Sequence, residues 1–114
     1  MHGVTKGDLM PVYLIVLFSI RDPETFGKYP VSAMESVAQY GGRYLTVVGV
    51  PGMQQPKVIE GQPQHDVTVV IEWESQEAIE RWYDSPEYTA IRDLRISSTE
   101  GWMLAAPEFE MPPH

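Results

Sequence analysis

Cysteine is absent from this chain of 114 residues, and histidine occurs only three times. The lack of cysteine excludes disulfide bonds, thiolate catalysis and thiolate-ligated metal sites. The histidines, His2, His65 and His114, are too widely spaced to form a metal-ligating triad or a Glu-x-x-His pair. No glycine-rich phosphate loop follows a strand, because Gly41 and Gly42 close a predicted helix instead of opening one. We therefore expect no metal and no cofactor.

Basic residues are scarce: lysine and arginine number 8 against 16 aspartates and glutamates, which gives a formal net charge of -8. The basic residues are scattered from Lys6 to Arg95, whereas binding to nucleic acid depends on clustered lysine and arginine. We expect no nucleic-acid partner and interpret the acidic excess as a solvated surface.

Long hydrophobic runs are missing as well. The longest, residues 12–18, is far shorter than the ~20 residues of a membrane-spanning helix. Residues 1–10 include Lys6 and Asp8 but lack the apolar core of a signal peptide. We therefore expect no membrane partner and a cytoplasmic protein.

The residues that are present fit a single domain. The chain has the length of one hydrophobic core, and 43% of its residues are hydrophobic. We expect a flexible leader at residues 1–10, a folded domain at residues 11–106 and a proline-rich acidic tail at residues 107–114.

Four segments have the β-branched and aromatic composition that is typical of strands. They are residues 12–20, 43–50, 67–73 and 101–105. Between the second and third strands, residues 51–56 are expected to form a loop or bulge, and residues 57–60 a short extended piece.

Two helical patterns lie between these strands. The first begins after Asp22, which can cap a helix, and Pro30 is expected to interrupt it with a kink or a brief break. Gly41 is expected to end it in a left-handed conformation. The second pattern is capped by Ser75 and restarts after Ser85, which precedes a proline.

The order of elements is therefore strand, helix, strand, strand, helix, strand. Right-handed β-α-β crossovers then predict an α+β, ferredoxin-like fold, in which both helices cover one face of a four-stranded antiparallel sheet. The strands at 12–20 and 67–73 are apolar on both faces, so the second face also needs a cover. The simplest cover is a second copy of the chain, packed sheet against sheet as a homodimer that forms a dimeric α/β barrel.

Four short motifs resemble the family of domain of unknown function 1330 (DUF1330), a branch of the dimeric α/β-barrel superfamily. The motifs are Tyr40-Gly41-Gly42-Arg43, Glu60-Gly61, Trp82-Tyr83-Asp84-Ser85-Pro86-Glu87-Tyr88 and Leu94-Arg95. The resemblance spans residues 13–103 and implies the same ferredoxin-like subunit and a homodimer joined through its sheets. The resemblance implies no particular activity, because the family has none assigned.

Two residues are candidates for catalysis. Arg43 begins the second strand after two glycines, where its guanidinium can hold a carboxylate through two hydrogen bonds. The alternative is a structural salt bridge to Glu60 or Glu72. Glu60 is the best candidate for a general acid or base beside a cleft, and the family resemblance strengthens that role. Its alternative is an ordinary surface carboxylate.

Four residues are candidates for ligand binding. Trp82, Tyr83 and Tyr88 combine apolar rings with polar tips and can line a pocket, although their helical spacing also suits core packing. Core packing is the favoured interpretation for Trp82. Arg95 can pair with an acidic ligand, but a cation near the end of a helix is also stabilised by the helix dipole.

Two hypotheses of function follow. In the first, a pocket between sheet and helices binds a small apolar or aromatic acid or carbonyl compound, and the protein is a cofactor-independent oxygenase, isomerase or cyclase. Glu60 then acts as the base, and Arg43 and Tyr83 stabilise an oxyanion. In the second, the protein is a non-catalytic dimeric module. A pocket well below about 300 Å³, or one with only apolar walls, favours the second hypothesis.

Overall fold

One open antiparallel sheet organises the molecule in a computed structural model, which describes residues 10–113. Its strands are β1 (Val12–Ile20), β2 (Arg43–Val48), β3 (Val67–Trp73) and β4 (Thr99–Pro107). They lie in the order β2-β3-β1-β4, so the two most apolar strands are central. Valine, isoleucine and aromatic side chains favour this pleated, half-buried setting. The α+β class and the antiparallel four-stranded sheet are confirmed.

The helices begin at the residues that the sequence indicates. Within residues 10–113 they are α1 (Pro23–Phe26), α2 (Pro30–Gln39), α3 (Gln76–Tyr83) and α4 (Pro86–Ser98). Asp22, Ser75 and Ser85 each accept a hydrogen bond from a backbone N–H of the first turn, at 3.2, 3.0 and 3.1 Å. These three predicted caps are confirmed.

The predicted interruption of the first helix is a complete break. The single turn α1 ends at Phe26, and Pro30 then starts α2, because a proline lacks the N–H that a helix interior needs but suits a first turn. Gly41 follows α2 with a φ of +92°, which confirms the left-handed end.

The bounds of two strands differ from the prediction. Strand β2 ends at Val48 because Gly49, with a φ of +94°, turns the chain and donates its N–H to the Gln54 carbonyl. Residues 57–60 form no strand and are exposed. Strand β4 is longer than expected, since it starts directly after α4 and pairs with the whole of β1. Residues 1–9 and 114, with His2 and His114, lie outside the described residues.

Side-chain alternation gives the sheet two different faces. The face toward the helices contributes the buried side chains of the core, which pack against residues of all four helices: Leu14, Val16, Phe18, Val67, Val69, Ile71 and Trp73. We call the opposite side the open sheet face. Ile15, Leu17 and Val70 are only half-buried there, and Trp102 and Leu104 are 43% and 46% exposed. The described part of the chain leaves this apolar face uncovered.

Candidate functional site

A small cavity lies between the helix-facing side of the sheet and the helices. Its volume is about 60 Å³. Apolar side chains from β1, β3, α1 and α2 form most of the wall, including Leu14, Ile71, Phe26 and Ala33. A cavity with such walls favours the apolar part of a ligand, because it offers few groups that could hold ordered water.

Three polar side chains interrupt the apolar wall: Tyr29, Tyr44 and Arg95. The Tyr29 hydroxyl lies 2.6 Å from the hydroxyl of Tyr88, which is completely buried. The Arg95 Nε–H donates to the same Tyr88 hydroxyl at 3.1 Å. We call Arg95, Tyr88 and Tyr29 the phenol–arginine chain.

Local structure explains how these residues meet. Tyr29 lies in the break between α1 and α2. The direction of its side chain is therefore not set by a helix, and the side chain turns toward the core. Tyr88 lies in the first turn of α4, and Arg95 follows seven residues later, which places both on one face of that helix. Helix α4 therefore presents the cation and one phenol together.

Burial keeps the phenols of the cavity neutral. It raises the pKa of Tyr44 to about 12, with a smaller contribution from the nearby Tyr88 hydroxyl. Burial, and next the neighbouring Tyr88, also raises the pKa of Tyr29 well above its ordinary value. Both side chains therefore remain hydrogen-bond donors at any physiological pH.

Arg95 is partly buried and has no carboxylate partner within residues 10–113. The ion pairs in this part of the chain belong to Arg21, Arg43 and Arg92. A guanidinium is positively charged at every accessible pH, and a charge taken out of water without a counter-ion is unfavourable. The cavity wall thus carries a positive charge that an anionic group can neutralise.

Two methionines lie where the cavity meets solvent. Met34 and Met53 line the cavity, yet they are 37% and 44% exposed. Methionine is unbranched and adopts several rotamers at little energetic expense, so these side chains can move aside without a change of backbone. The opening is therefore adaptable.

The predicted ligand-binding residues are distributed around the phenol–arginine chain. Trp82 and Arg95 line the cavity, and Tyr88 lies directly behind Tyr29. The Trp82 indole is also a core residue: its Nε1–H donates to Ser36 at 3.0 Å, and its ring centroid lies 4.0 Å from that of Tyr88. The ring of Tyr83 packs under the guanidinium of Arg92, at 4.5 Å, and does not line the cavity.

The two predicted catalytic residues lie apart from this cavity. Arg43 pairs with Glu72 at 2.8 Å, which is one of the salt bridges that the sequence offered as its alternative. Its neighbour Tyr44 faces the cavity, so alternation directs Arg43 to the open sheet face. Glu60 is exposed and borders a separate groove beside Lys57 and His65. The catalytic roles of Arg43 and Glu60 stay predictions.

Metal-binding clusters and membrane-spanning helices are absent from the described residues. In residues 10–113, no three histidine or acidic side chains approach one another as they do around a metal ion. No helix in the same range has the length and apolar character needed to cross a membrane.

Comparison with known sequences assigns the chain to a family. The sequence profile described as Domain of unknown function (DUF1330) matches residues 11–109. The chain belongs to the DUF1330 family. A search of curated proteins found no match.

Solved structures share the fold of this DUF1330 chain at low sequence identity. Two are of RPA0582, a protein of unknown function from Rhodopseudomonas palustris, one of them methylated, with TM-scores of 0.71 and 0.70 and identities of 14% and 15%. They align with 90% and 89% of this chain and with 85% and 82% of theirs. A third is SnoaB, a cofactor-independent oxygenase from Streptomyces nogalater, with a TM-score of 0.58 and 13% identity over 92% of this chain and 99% of SnoaB. Likeness at such identities concerns the fold alone.

Sequence reasoning missed Tyr29 and Tyr44 of this DUF1330 chain. Tyr44 follows Arg43 on a strand, so alternation alone indicates that the two side chains point to opposite faces. Tyr29 directly precedes Pro30, and a residue before proline is disfavoured in a helix. Strand alternation places Tyr44 on the face opposite to Arg43, and the following proline disfavours a helix at Tyr29. Neither observation reveals that the two tyrosines share a cavity with Arg95.

Proposed function

We propose that this chain binds a small apolar or aromatic molecule that carries an acid or carbonyl group, in the cavity between the sheet and the helices. The observation that carries the proposal is Arg95, a cation without a described carboxylate partner at the wall of an otherwise apolar cavity. Apolar walls hold the body of such a ligand, and a guanidinium with nearby phenols binds its oxygen atoms.

The cavity has to enlarge before it accepts an aromatic ligand. Its volume is about 60 Å³, whereas an apolar cavity that takes up benzene measures about 150 Å³. Rotation of Met34 and Met53 at the opening provides the additional space, since both side chains are exposed and unbranched. A ligand of two to four heavy atoms needs much less rearrangement.

The reaction class is the more specific part of the proposal. SnoaB is a cofactor-independent oxygenase, and its shared fold makes oxygenation, isomerisation or cyclisation without a cofactor a reasonable chemistry for this chain. Glu60 as base and Arg43 as oxyanion stabiliser belong to the same proposal. Their separation from the cavity argues that the phenol–arginine chain takes the larger part in binding.

We also include a ferredoxin-like subunit and a homodimer in the proposal, with two copies packed through their open sheet faces as a dimeric α/β barrel. The strand order β2-β3-β1-β4 supports the subunit arrangement. Trp102 and Leu104 on β4 support the dimer, because neighbouring exposed apolar side chains are typical of an interface.

The alternative is a non-catalytic dimeric module. The small volume of the cavity favours it, because sites for small molecules are usually at least about 300 Å³. The two functions differ in one observable, which is ligand binding at the cavity.

A thermal-shift screen with aromatic acids, lactones and short acyl compounds tests the proposal. A ligand at 100 times its Kd adds about 2.7 kcal/mol to the free energy of unfolding, which raises Tm by about 10 °C in a small domain. Arg95→Gln is expected to abolish the shift. Arg21→Gln is the matched control, since it makes the same change at an exposed arginine that does not line the cavity.

The outcomes separate the candidate sites. Loss of the shift with Arg95→Gln alone supports the cavity, whereas loss with Arg43→Ala or Glu60→Gln alone moves the site to those residues. If no compound shifts the wild-type Tm, the binding proposal is wrong and the non-catalytic module is supported.

A further inference from the structure

The hydrogen bonds of the phenol–arginine chain have a direction that can be worked out from their donors and acceptors. A tyrosine hydroxyl has one proton to donate and can accept two hydrogen bonds. Arg95 can only donate, so the Tyr88 oxygen accepts the bond from Arg95 Nε–H. The bond of 2.6 Å between Tyr88 and Tyr29 is compatible with either hydroxyl as the donor.

Burial decides between the two directions. If Tyr29 donated to Tyr88, the proton of Tyr88 would have no acceptor among residues 10–113, although this side chain is 0% exposed. A buried donor without an acceptor is strongly unfavourable. Donation by Tyr88 to Tyr29 removes this loss from the fully buried residue, because Tyr29 is only half-buried and lines the cavity, so its own proton can turn toward solvent or a ligand.

We infer that Arg95, Tyr88 and Tyr29 form a directional chain of donors that presents the Tyr29 hydroxyl to an anionic oxygen, a carboxylate or an enolate, on the ligand. The inference rests on the proposed function, since it specifies the ligand of the same cavity. Tyr29 is the residue that contacts the oxygen, and Tyr88 and Arg95 are positioning residues that act through it.

The permanent charge at one end of the chain determines the preference for an anion. Each donor in a connected chain polarises the next, so the charge of Arg95 strengthens the bond that Tyr29 donates. Hydrogen bonds to ionised acceptors are roughly twice as strong as those between neutral groups. A neutral amide of the same shape therefore gains much less from Tyr29 than a carboxylate does.

Propionate and propionamide are suitable probes, because they have the same shape and differ in charge. Binding is measured by NMR on protein labelled with 13C at the tyrosine Cζ atoms. We expect wild-type protein to bind propionate at least about tenfold more tightly than propionamide, and Tyr29→Phe to bind propionate about tenfold more weakly than wild type. Tyr40→Phe is the control, since the Tyr40 hydroxyl donates to Glu87 and Tyr40 does not line the cavity.

Tyr88 and Arg95 act through Tyr29. Their test therefore measures a property that would stay the same if they only stabilised the fold. Tyr88→Phe is expected to shift the Tyr29 Cζ resonance in the free protein and to weaken propionate binding, while the resonances of Tyr13 and Tyr40, whose hydroxyls donate to Glu108 and Glu87, keep their positions. Arg95→Lys is expected to restore part of the affinity that Arg95→Gln loses, because the positive charge is retained.

Each result supports or overturns the inference. Equal propionate affinity in wild type and Tyr29→Phe, or equal affinity of wild type for propionate and propionamide, overturns the donor chain and leaves the proposed cavity in place. If wild type binds neither compound and no member of the thermal-shift screen, the inference and the proposed function are both wrong.

Discussion

Two half-buried tyrosines make this protein sensitive to high pH. Tyr44 lines the cavity, and burial raises its pKa to about 12 from an ordinary value of 10.0. Burial, and next the neighbouring Tyr88, also raises the pKa of Tyr29 well above its ordinary value. The folded state thus retains protons on these side chains at pH values where the unfolded chain has released them.

The free energy of unfolding is therefore expected to fall above pH 10. Between pH 10 and about 12 the unfolded state binds fewer protons than the folded state at Tyr44, so stability decreases with rising pH, by about 1.4 kcal/mol per pH unit for this one group. Below pH 10 Tyr44 has no effect on the slope. Urea unfolding at pH 9, 10, 11 and 11.5 measures the slope.

Tyr44→Phe is the test of this assignment, because it keeps the ring and removes the titrating hydroxyl. The variant is expected to lose stability less steeply than wild type above pH 10. Identical slopes for the two proteins would contradict the assignment to Tyr44.

Individual residues were predictable from sequence where their role is local. Asp22, Ser75 and Ser85 cap helices through backbone groups only three residues away, so their neighbours in the sequence contain all the information. Tyr29 and Arg95 are 66 residues apart in the chain and are connected through Tyr88 only because α4 packs against the break before α2. That connection has no local signal in the sequence.

The conformation of residues 49–66, which connect β2 to β3, depends on one glycine. Gly49 begins the segment with a positive φ, and Asp66 ends it. A Cβ atom at position 49 would collide with the backbone carbonyl oxygen of Asp66. The two ends of this connection therefore touch, and the contact holds Val50 and Met53 at the cavity.

Gly49→Ala is expected to destabilise the protein more than Gly52→Ala. Both glycines have a positive φ, so both substitutions introduce a backbone strain of about 1–2 kcal/mol. No atom lies within 4 Å of a Cβ atom at position 52, whereas position 49 meets backbone that cannot move aside. We expect Gly52→Ala to lower Tm by about 5 °C and Gly49→Ala by at least twice as much.

Calorimetry measures both Tm values. Equal losses for Gly49→Ala and Gly52→Ala would show that the contact with Asp66 is unimportant and that only the dihedral angle matters.

Strands with a nearly continuous apolar run were predicted to the residue, as for β1 and β3. Their ends coincide with a proline, an aspartate or a charged residue, which close the apolar pattern. Residues 57–60 have a strand-like composition but no partner strand in the described chain, and composition alone cannot supply one. The volume of the cavity could not be predicted from sequence either, because it depends on side chains from four strands and four helices that pack at once.

For the whole molecule, assembly through the open sheet face is the main prediction. Wild type is expected to sediment as a dimer at micromolar concentration. Leu104→Glu places a charge on the apolar part of the open sheet face, beside Ile15, and is expected to weaken the dimer by about a hundredfold or more. Analytical ultracentrifugation over a concentration series measures the dissociation constant.

Val31→Glu is the matched control, since it makes the same kind of change on the exposed surface of α2, away from the open sheet face. It is expected to leave the dimer unchanged. A wild-type protein that sediments as a monomer at micromolar concentration would refute the dimeric barrel.

The three tryptophans of the chain occupy two different environments, and this provides an optical probe of assembly. Trp73 and Trp82 are buried in the core, so their fluorescence is shielded from acrylamide whatever the association state. Trp102 is 43% exposed on the sheet, and its emission alone should be quenched in separated subunits and shift to shorter wavelength as they associate. The fluorescence of Trp102 therefore tests the proposed association without a label.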